Sequence, residues 1–462
     1  MPLLQSGTMK RRRFLQKAGI GALLAAVPLT RKMGTTEAEV AGIQRRPRNI
    51  LLIMADDLGR ECLGCYGSEQ YKTPRLDRLA REGMCFTDCH SMPLCTPSRV
   101  AIMTGKSNVR NYVDFGALAQ GERTFAHCAK KAGYVTCVAG KWQLSKGRSR
   151  DRQGQSPREA GFDTWCLWNT PMTTRQRYWD PSIEVDGQLM QDTEGKYGPD
   201  LFVDHLIRFM EENKDRPFLA YYPMALTHGP FDPTPSSESR EEKNGQKNFE
   251  DMVSYMDFLV GRLVDALDGL GLKEETVIFF TADNGSPRAV RSRLHGRVLE
   301  GGKGATHRGG THVALIVGAH GTVSGGKECH DLVGFEDFRP TLNEIMGRGE
   351  MDGEPWDGRS FWPQCRGEKG HPREWLYCYY HPWPHATPEE RGYREKPERF
   401  AWDKRYKAYS DGRLYDMIED PLEENPVALD RGSEEALAAH EKLMLAIASF
   451  PERVEGGGSL VL

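Results

Sequence analysis

Residues 49–59 read NILLIMADDLG. Six consecutive apolar side chains from Ile50 to Ala55 lack the alternation of a half-exposed strand, so they describe a strand covered on both faces. The run stops at Asp56-Asp57-Leu58-Gly59 and sets two carboxylates just beyond its carboxyl end. The same pattern recurs three times. GYVTCVA (133–139) stops at Gly140-Lys141-Trp142, FLAYY (218–222) leads to Thr227-His228-Gly229-Pro230-Phe231, and TVIFF (276–280) stops at Thr281-Ala282-Asp283-Asn284-Gly285. Helix-like segments lie between them at 73–82, 124–131, 199–212 and 248–270. This alternation predicts an α/β fold with a large, mainly parallel sheet sandwiched by helices. Ligands of such sheets bind beyond the carboxyl ends of the strands, where these polar clusters fall. One Asp-Asp after a strand is an ordinary turn or cap; four polar strand ends together point to a site.

The 462 residues carry 62 Lys plus Arg against 65 Asp plus Glu, and a formal charge of -3 offers no field that selects nucleic acid or anionic lipid. Residues 1–42 read as an export signal. Lys10-Arg11-Arg12-Arg13-Phe14-Leu15 precedes a short, weakly apolar stretch from Ala18 to Thr30, a twin-arginine-like pattern too short to span a bilayer comfortably. The mature protein is therefore expected in the periplasm or outside the cell, not embedded in a membrane. Residues 45–350 read as the catalytic domain and 360–462 as a smaller C-terminal α+β subdomain. In the latter, aromatic runs at 375–380 and 406–409 predict antiparallel strands, and 433–450 a closing helix. The polar, irregular stretches 146–192 and 233–247 read as loops or insertions.

Eleven cysteines is an odd count. Cys62-x-x-Cys65 and Cys85-x3-Cys89 have metal-like spacings, but no second pair follows, so core thiols or disulfides are expected rather than structural zinc. Asp56, Asp57, Asp283 and Asn284 form an all-oxygen ligand set, which suits calcium, or less well magnesium, better than zinc. Arg99, Lys141 and Lys303, with His228 and His295, supply groups that fit a tetrahedral oxyanion. A cysteine fits poorly beside a hard cation unless its sulfur has been replaced by oxygen.

Cys95 opens CTPSR, which is followed by AIMTGK, and this pairing resembles the signature of the sulfatase family. The likeness extends through NILLIMADDLG, GYVTCVAGKW, THGPF, TADNG and GGKGATHRGG to LYDMIEDPLEENP. It implies an alkaline phosphatase-like fold and an exported sulfuric ester hydrolase acting on a sulfated carbohydrate, as in bacterial carbohydrate sulfatases and arylsulfatase A-like enzymes. It further implies that a maturation enzyme oxidises Cys95 to formylglycine after the CTPSR signal is read, and that export machinery carries the chain. By the resemblance, Asp56, Asp57, Asp283, Asn284 and the modified Cys95 hold one calcium ion. Arg99 steadies the formylglycine, Lys141 and Lys303 bind sulfate, and His228 protonates the leaving alcohol. The hydrated aldehyde attacks sulfur, and its second hydroxyl then expels sulfate.

Two positions depart from the family pattern. Gln143 stands where many sulfatases have histidine after GKW, and an amide cannot act as a base near neutral pH. Arg308 stands in THRGG where glutamate is common. Gln143 and His295 are candidate substrate contacts, and the aromatics and histidines of 379–385 are candidates either for stacking on a sugar or for packing between domains. The alternatives are a formylglycine-dependent phosphonate or phosphate ester hydrolase and a catalytically impaired protein that binds sulfated glycans. The zinc phosphatase branch fits less well, because it carries Ser or Thr as nucleophile and histidines among its ligands.

Overall fold

Strand β1 (Asn49–Ala55) is buried at every position, as its unbroken apolar run requires. In the computed structural model, which describes residues 48–149, 151–348, 355–390 and 394–452, it lies near the middle of a large sheet. The export-signal reading of residues 1–42 falls outside the described residues. The other strands of this sheet are β2 (Met84–His90), β3 (Val135–Lys141), β4 (Thr164–Trp168), β5 (Glu184–Val185), β6 (Gln188–Leu189), β7 (Phe218–Pro223), β8 (Thr276–Ala282), β11 (His312–Gly318) and β12 (Lys327–Gly334); β9 (Arg291–Leu294) and β10 (Arg297–Glu300) form a separate hairpin. Among the described residues the sheet has ten strands in the order β12-β2-β11-β8-β1-β7-β3-β4-β5-β6.

The central run β8-β1-β7-β3-β4 is parallel throughout. Antiparallel pairing of β11 with β8 and β2, and of β5 with β4 and β6, makes the whole sheet mixed. The parallel run brings the carboxyl ends of β1, β3, β7 and β8 to one edge, and with them their polar clusters.

Helices Pro74–Glu82, Phe125–Lys131, Gly198–Glu212 and Gly245–Gly269 lie where the sequence predicts them, within a few residues. Thr124 caps the second by accepting from the Ala126 amide, which places that start. The 146–192 stretch is a correction, because β4, β5 and β6 emerge from it and extend the sheet. TWCLW is a short apolar run among glycine, serine and arginine, and two-residue strands carry no readable pattern. All eleven cysteines are free thiols and nine are buried, so the core-thiol alternative holds over disulfides.

The second sheet is antiparallel, ordered β13 (Leu376–Tyr380), β14 (Glu398–Trp402), β15 (Tyr406–Tyr409), β16 (Leu414–Asp416). Its residues alternate between two cores. Leu376, Cys378 and Tyr380 join the main core, while Tyr377 and Tyr379 pack toward Leu443 and Ile447 of the helix Glu434–Ala448. Each such large apolar side chain contributes about 1.5–3 kcal/mol by leaving water. Among the described residues no helix is long and apolar enough to cross a membrane.

Candidate active site

Cys95 begins the helix Cys95–Thr104, in which all ten residues are buried. Pro97 lies in the first turn, where the amide it lacks would have no helical acceptor. Gly105 ends the helix at φ 68 and donates its amide to Ala101 O. Arg99, one turn after Cys95, therefore shares the face that Cys95 presents to the strand ends. The Lys303 loop closes over the same place, for the Gly304 amide donates to Pro93 O at 2.9 Å.

The predicted carboxylates and cations meet there. Lys141 Nζ donates to Asp56 Oδ2 at 2.6 Å, and Lys303 Nζ donates to Asp57 Oδ2 at 2.5 Å. Arg99 donates to Asp283 Oδ2 at 2.8 Å and to the Lys141 carbonyl at 2.9 Å, which locks the helix to the end of β3. The Asp57 amide donates to Asp283 Oδ1 at 3.1 Å, and Asn284 Nδ2 donates to Asp57 Oδ1 at 2.8 Å. Asp57 holds φ 63, a left-handed turn that swings its carboxylate back over the strand end.

His228 Nε2 lies 3.8 Å from Asp57 Oδ2, with Nδ1 donating to Gly229 O at 2.7 Å. Arg177 approaches His228 Nδ1 at 3.2 Å, bonds to Gly229 O and stacks over Trp168, and Tyr178 donates to His228 O at 2.5 Å. Sequence reasoning missed Arg177 and Tyr178 because they lie in the stretch read as a loop. Their only signal was an aromatic and an arginine amid polar residues.

Burial and neighbouring charge shift the groups of this cluster in different directions. Burial pushes Asp283 up to about 7, and Asp56 adds to it, despite the opposing Arg99 and Lys141. Burial also acts on Asp56, but Lys141, His228, Arg99 and Lys303 outweigh it and hold that carboxyl far below the usual range. Burial raises the Cys95 thiol against the pull of Lys141. Burial and then Lys141 lower His228 to about 4. Lys303, although burial opposes its charge, is raised by Asp57.

Asp56 Oδ1 and Asn284 Oδ1 are buried without a hydrogen-bond partner. Unpaired buried acceptors cost about 1–3 kcal/mol each, so two of them beside crowded carboxylates are oxygen donors awaiting a cation. A hard divalent metal fits this set.

Gln143 follows the cluster along the chain at φ 56, its amide donating to Asn169 O at 3.0 Å and its Oε1 buried without a partner. His295 does not join the cluster. It forms a two-residue turn with Gly296 between β9 and β10, at φ 48 and 73, is exposed and lies against Gly67. Among the described residues no hydrogen bond or ion pair links it to the cluster. Arg308 pairs with Asp88 at 2.6 Å, on the oxygen that also accepts from His90 Nε2 at 3.0 Å. With His312 Nε2 donating to Thr87 O at 2.8 Å, this second carboxylate–imidazole group satisfies itself and needs no ion.

The C-terminal LYDMIEDPLEENP segment also acquires a place. Glu423 accepts from Lys407 at 2.7 Å and from Tyr409, and these two residues reach Thr306 O and Thr306 Oγ1 at 2.5 and 2.9 Å. Tyr380 donates to Gly304 O at 3.3 Å. The small sheet thus props the loop that carries Lys303.

The model of the sulfatase family matches residues 48–348. The chain belongs to the sulfatase family. Human arylsulfatase A is 33% identical to this sulfatase over 387 residues, 75% of this chain and 72% of that protein. Among solved structures, BT4656 in complex with its substrate D-glucosamine-2-N,6-O-disulfate superposes with a TM-score of 0.66 at 20% identity, over 88% of this sulfatase and 97% of that chain. The phosphonate monoester hydrolase of Agrobacterium radiobacter gives a TM-score of 0.66 at 20% identity, over 87% and 96%. The fold is the alkaline phosphatase-like sulfatase fold, and the relatives are sulfuric ester hydrolases.

Proposed function

We propose that this sulfatase removes sulfate from a sulfated carbohydrate outside the cytoplasm, with one calcium ion and a formylglycine made from Cys95. The observation that carries the reading is the pair of orphaned oxygens, Asp56 Oδ1 and Asn284 Oδ1, set among three carboxylates beside the buried head of the CTPSR helix. Asp56, Asp57, Asp283 and Asn284 would hold the cation together with the modified Cys95. Bound there, the metal would supply Lewis acidity toward a sulfate oxygen and acidify the nucleophile. Formylglycine would supply a nucleophilic oxygen where the thiol, raised by burial, is unreactive.

The side chains of the chain itself do the rest. Lys141 and Lys303 balance Asp56 and Asp57 and turn the cluster toward anions once a cation shares those carboxylates. Arg99, fixed by Asp283 and the Lys141 carbonyl, steadies residue 95. Burial and Lys141 disfavour a proton on His228; the negative charge of a sulfate ester would raise its hold on one, which Nε2 would then give to the leaving alcohol. Gln143 orients a hydrogen bond at the edge of the site and moves no proton. Export rests on the pattern of residues 1–42.

Mass spectrometry of the Cys95 peptide from the native host tests the nucleophile, and unmodified cysteine throughout an active preparation refutes it. Side-by-side rates on sulfated sugars and on phosphate and phosphonate esters test the substrate. Faster phosphonate turnover would favour the second reading, which the phosphonate hydrolase neighbour motivates. Binding of sulfated glycans without turnover would make Gln143 the mark of an impaired enzyme.

A further inference from the structure

Gln143 lies two residues beyond Lys141, so their Cα atoms are at most about 7.6 Å apart. It lines a cleft of about 450 Å3 whose walls include Phe115, Lys146, Thr170 and Trp383. A second cleft of about 500 Å3 shares Lys146 and Thr170 with the first and runs on toward Met172. The two clefts adjoin, the first comes close to the active site where its Gly116 amide donates to Thr96 Oγ1, next to Cys95, at 3.2 Å, and each falls within the usual range of ligand sites.

Three features define the occupant. Trp383 is half-buried and braced against Phe115, with ring centroids 5.9 Å apart, which leaves an aromatic surface facing the cleft. Residues 146–152 read KGRSRDR, four basic side chains against one acidic in a chain whose overall charge is -3. Lys146 is exposed at the junction of the two clefts and, among the described residues, has no ion-pair partner, whereas Arg148 is tied to Glu390 at 3.6 Å. Gln143 adds a buried, unpartnered Oε1, an acceptor suited to a hydroxyl. An aromatic plate, an acceptor and an unpaired cation match a sugar ring that carries an anionic group of its own.

We propose that this groove binds the sugar next to the one being desulfated, stacked on Trp383, with its sulfate or carboxylate paired to Lys146. The substrate is then an anionic oligosaccharide chain rather than an isolated monosaccharide. The inference rests on the reading of the catalytic site as acting on sulfated carbohydrate.

Titration calorimetry on the full chain carrying Cys95→Ala, which measures binding without turnover, tests it with tetrasaccharides from chondroitin sulfate, heparin and carrageenan and with their desulfated forms. Lys146→Gln and Trp383→Ala are added singly in that background. At least one anionic tetrasaccharide is expected to bind tenfold or more tightly than its desulfated form, more weakly as salt rises. Lys146→Gln then weakens it about tenfold, and Trp383→Ala by a similar factor. A Lys146→Gln effect seen with the carrageenan probe, which has no uronate, assigns the contact to sulfate; an effect that carboxyl reduction of the heparin or chondroitin probe abolishes assigns it to carboxylate. An unchanged Kd in Lys146→Gln overturns the groove. Failure of the untouched enzyme to hydrolyse any sulfate ester overturns the catalytic reading instead, and the calorimetry still decides the groove.

Discussion

The two walls of the active site are built differently. On the sheet side, Asp56, Asp283 and Asn284 have no exposure and Arg99 has 1%, each held at the end of a buried strand or on a buried helix. On the loop side, the side chains of Lys303 and His228 are 22% and 28% exposed, and their loops depend on props from elsewhere, the C-terminal sheet for Lys303 and Arg177 with Tyr178 for His228. A metal bound as proposed would need protein oxygens held in place, while substrate must enter and leave. The oxygens proposed to hold a metal lie on the buried wall, and Lys303 and His228, proposed to meet the ester, lie on the open one.

This contrast can be broken at either wall. Cys95→Ala, between the two, should reduce kcat by roughly 10^4-fold or more, and near-normal turnover of a sulfate ester would show that the nucleophile lies elsewhere. Asp283→Asn preserves shape but strips Arg99 of the carboxylate it meets at 2.8 Å. Loss of one partner of a buried pair costs about 3–5 kcal/mol, so calcium content, thermal stability and activity should fall together. Lys303→Ala should lower kcat/KM about 10^2-fold and, because the lysine is partly open to solvent although Asp57 is buried, lower the melting temperature less than Asp283→Asn does. If Lys303→Ala destabilises as much as Asp283→Asn, the two walls are not distinct.

The smallest expected effect on activity comes from a group away from the site. Glu336 is buried in the turn before the helix Phe338–Ile345; burial, aided by Asp337 and Asp357 and opposed by Arg373, raises it to about 8 from 4.5. Between these values the folded chain holds a proton that the unfolded chain has lost, so stability falls as pH rises from about 4.5 to 8 and the loss is complete above that. Glu336→Gln should flatten this slope in denaturant melts at pH 5 and pH 9 while the rate on a sulfate ester is retained. An unchanged slope would assign the pH dependence to the other raised carboxyls, Asp283 and Asp257 among them.

Much of the buried wall was legible in sequence because its physics is local. Unbroken apolar runs specify strands covered on both faces, and the polar residues at their ends fall at one edge of any parallel sheet. NILLIMADDLG and TADNG could therefore be joined before any coordinates. Strands β4, β5 and β6 were not legible, since a five-residue run among glycine and arginine and strands two residues long show no clear periodicity, and Arg177 went with them. His295 was misjudged for a related reason. Proximity along the chain to TADNG suggested the site, but the turn of a two-residue hairpin carries it to Gly67.

The sequence by itself determined the fold class, the CTPSR signature and the oxygen-bearing candidates at 56, 57, 283 and 284, because hydrophobic pattern and side-chain chemistry reside in residue types. Tertiary structure alone decided which cation meets which carboxylate, that the C-terminal sheet props the Lys303 loop, and that Gln143, Lys146 and Trp383 face one groove. Those contacts join segments up to about two hundred and forty residues apart, and only packing of the sheet and its loops, which no local pattern encodes, brings them within reach.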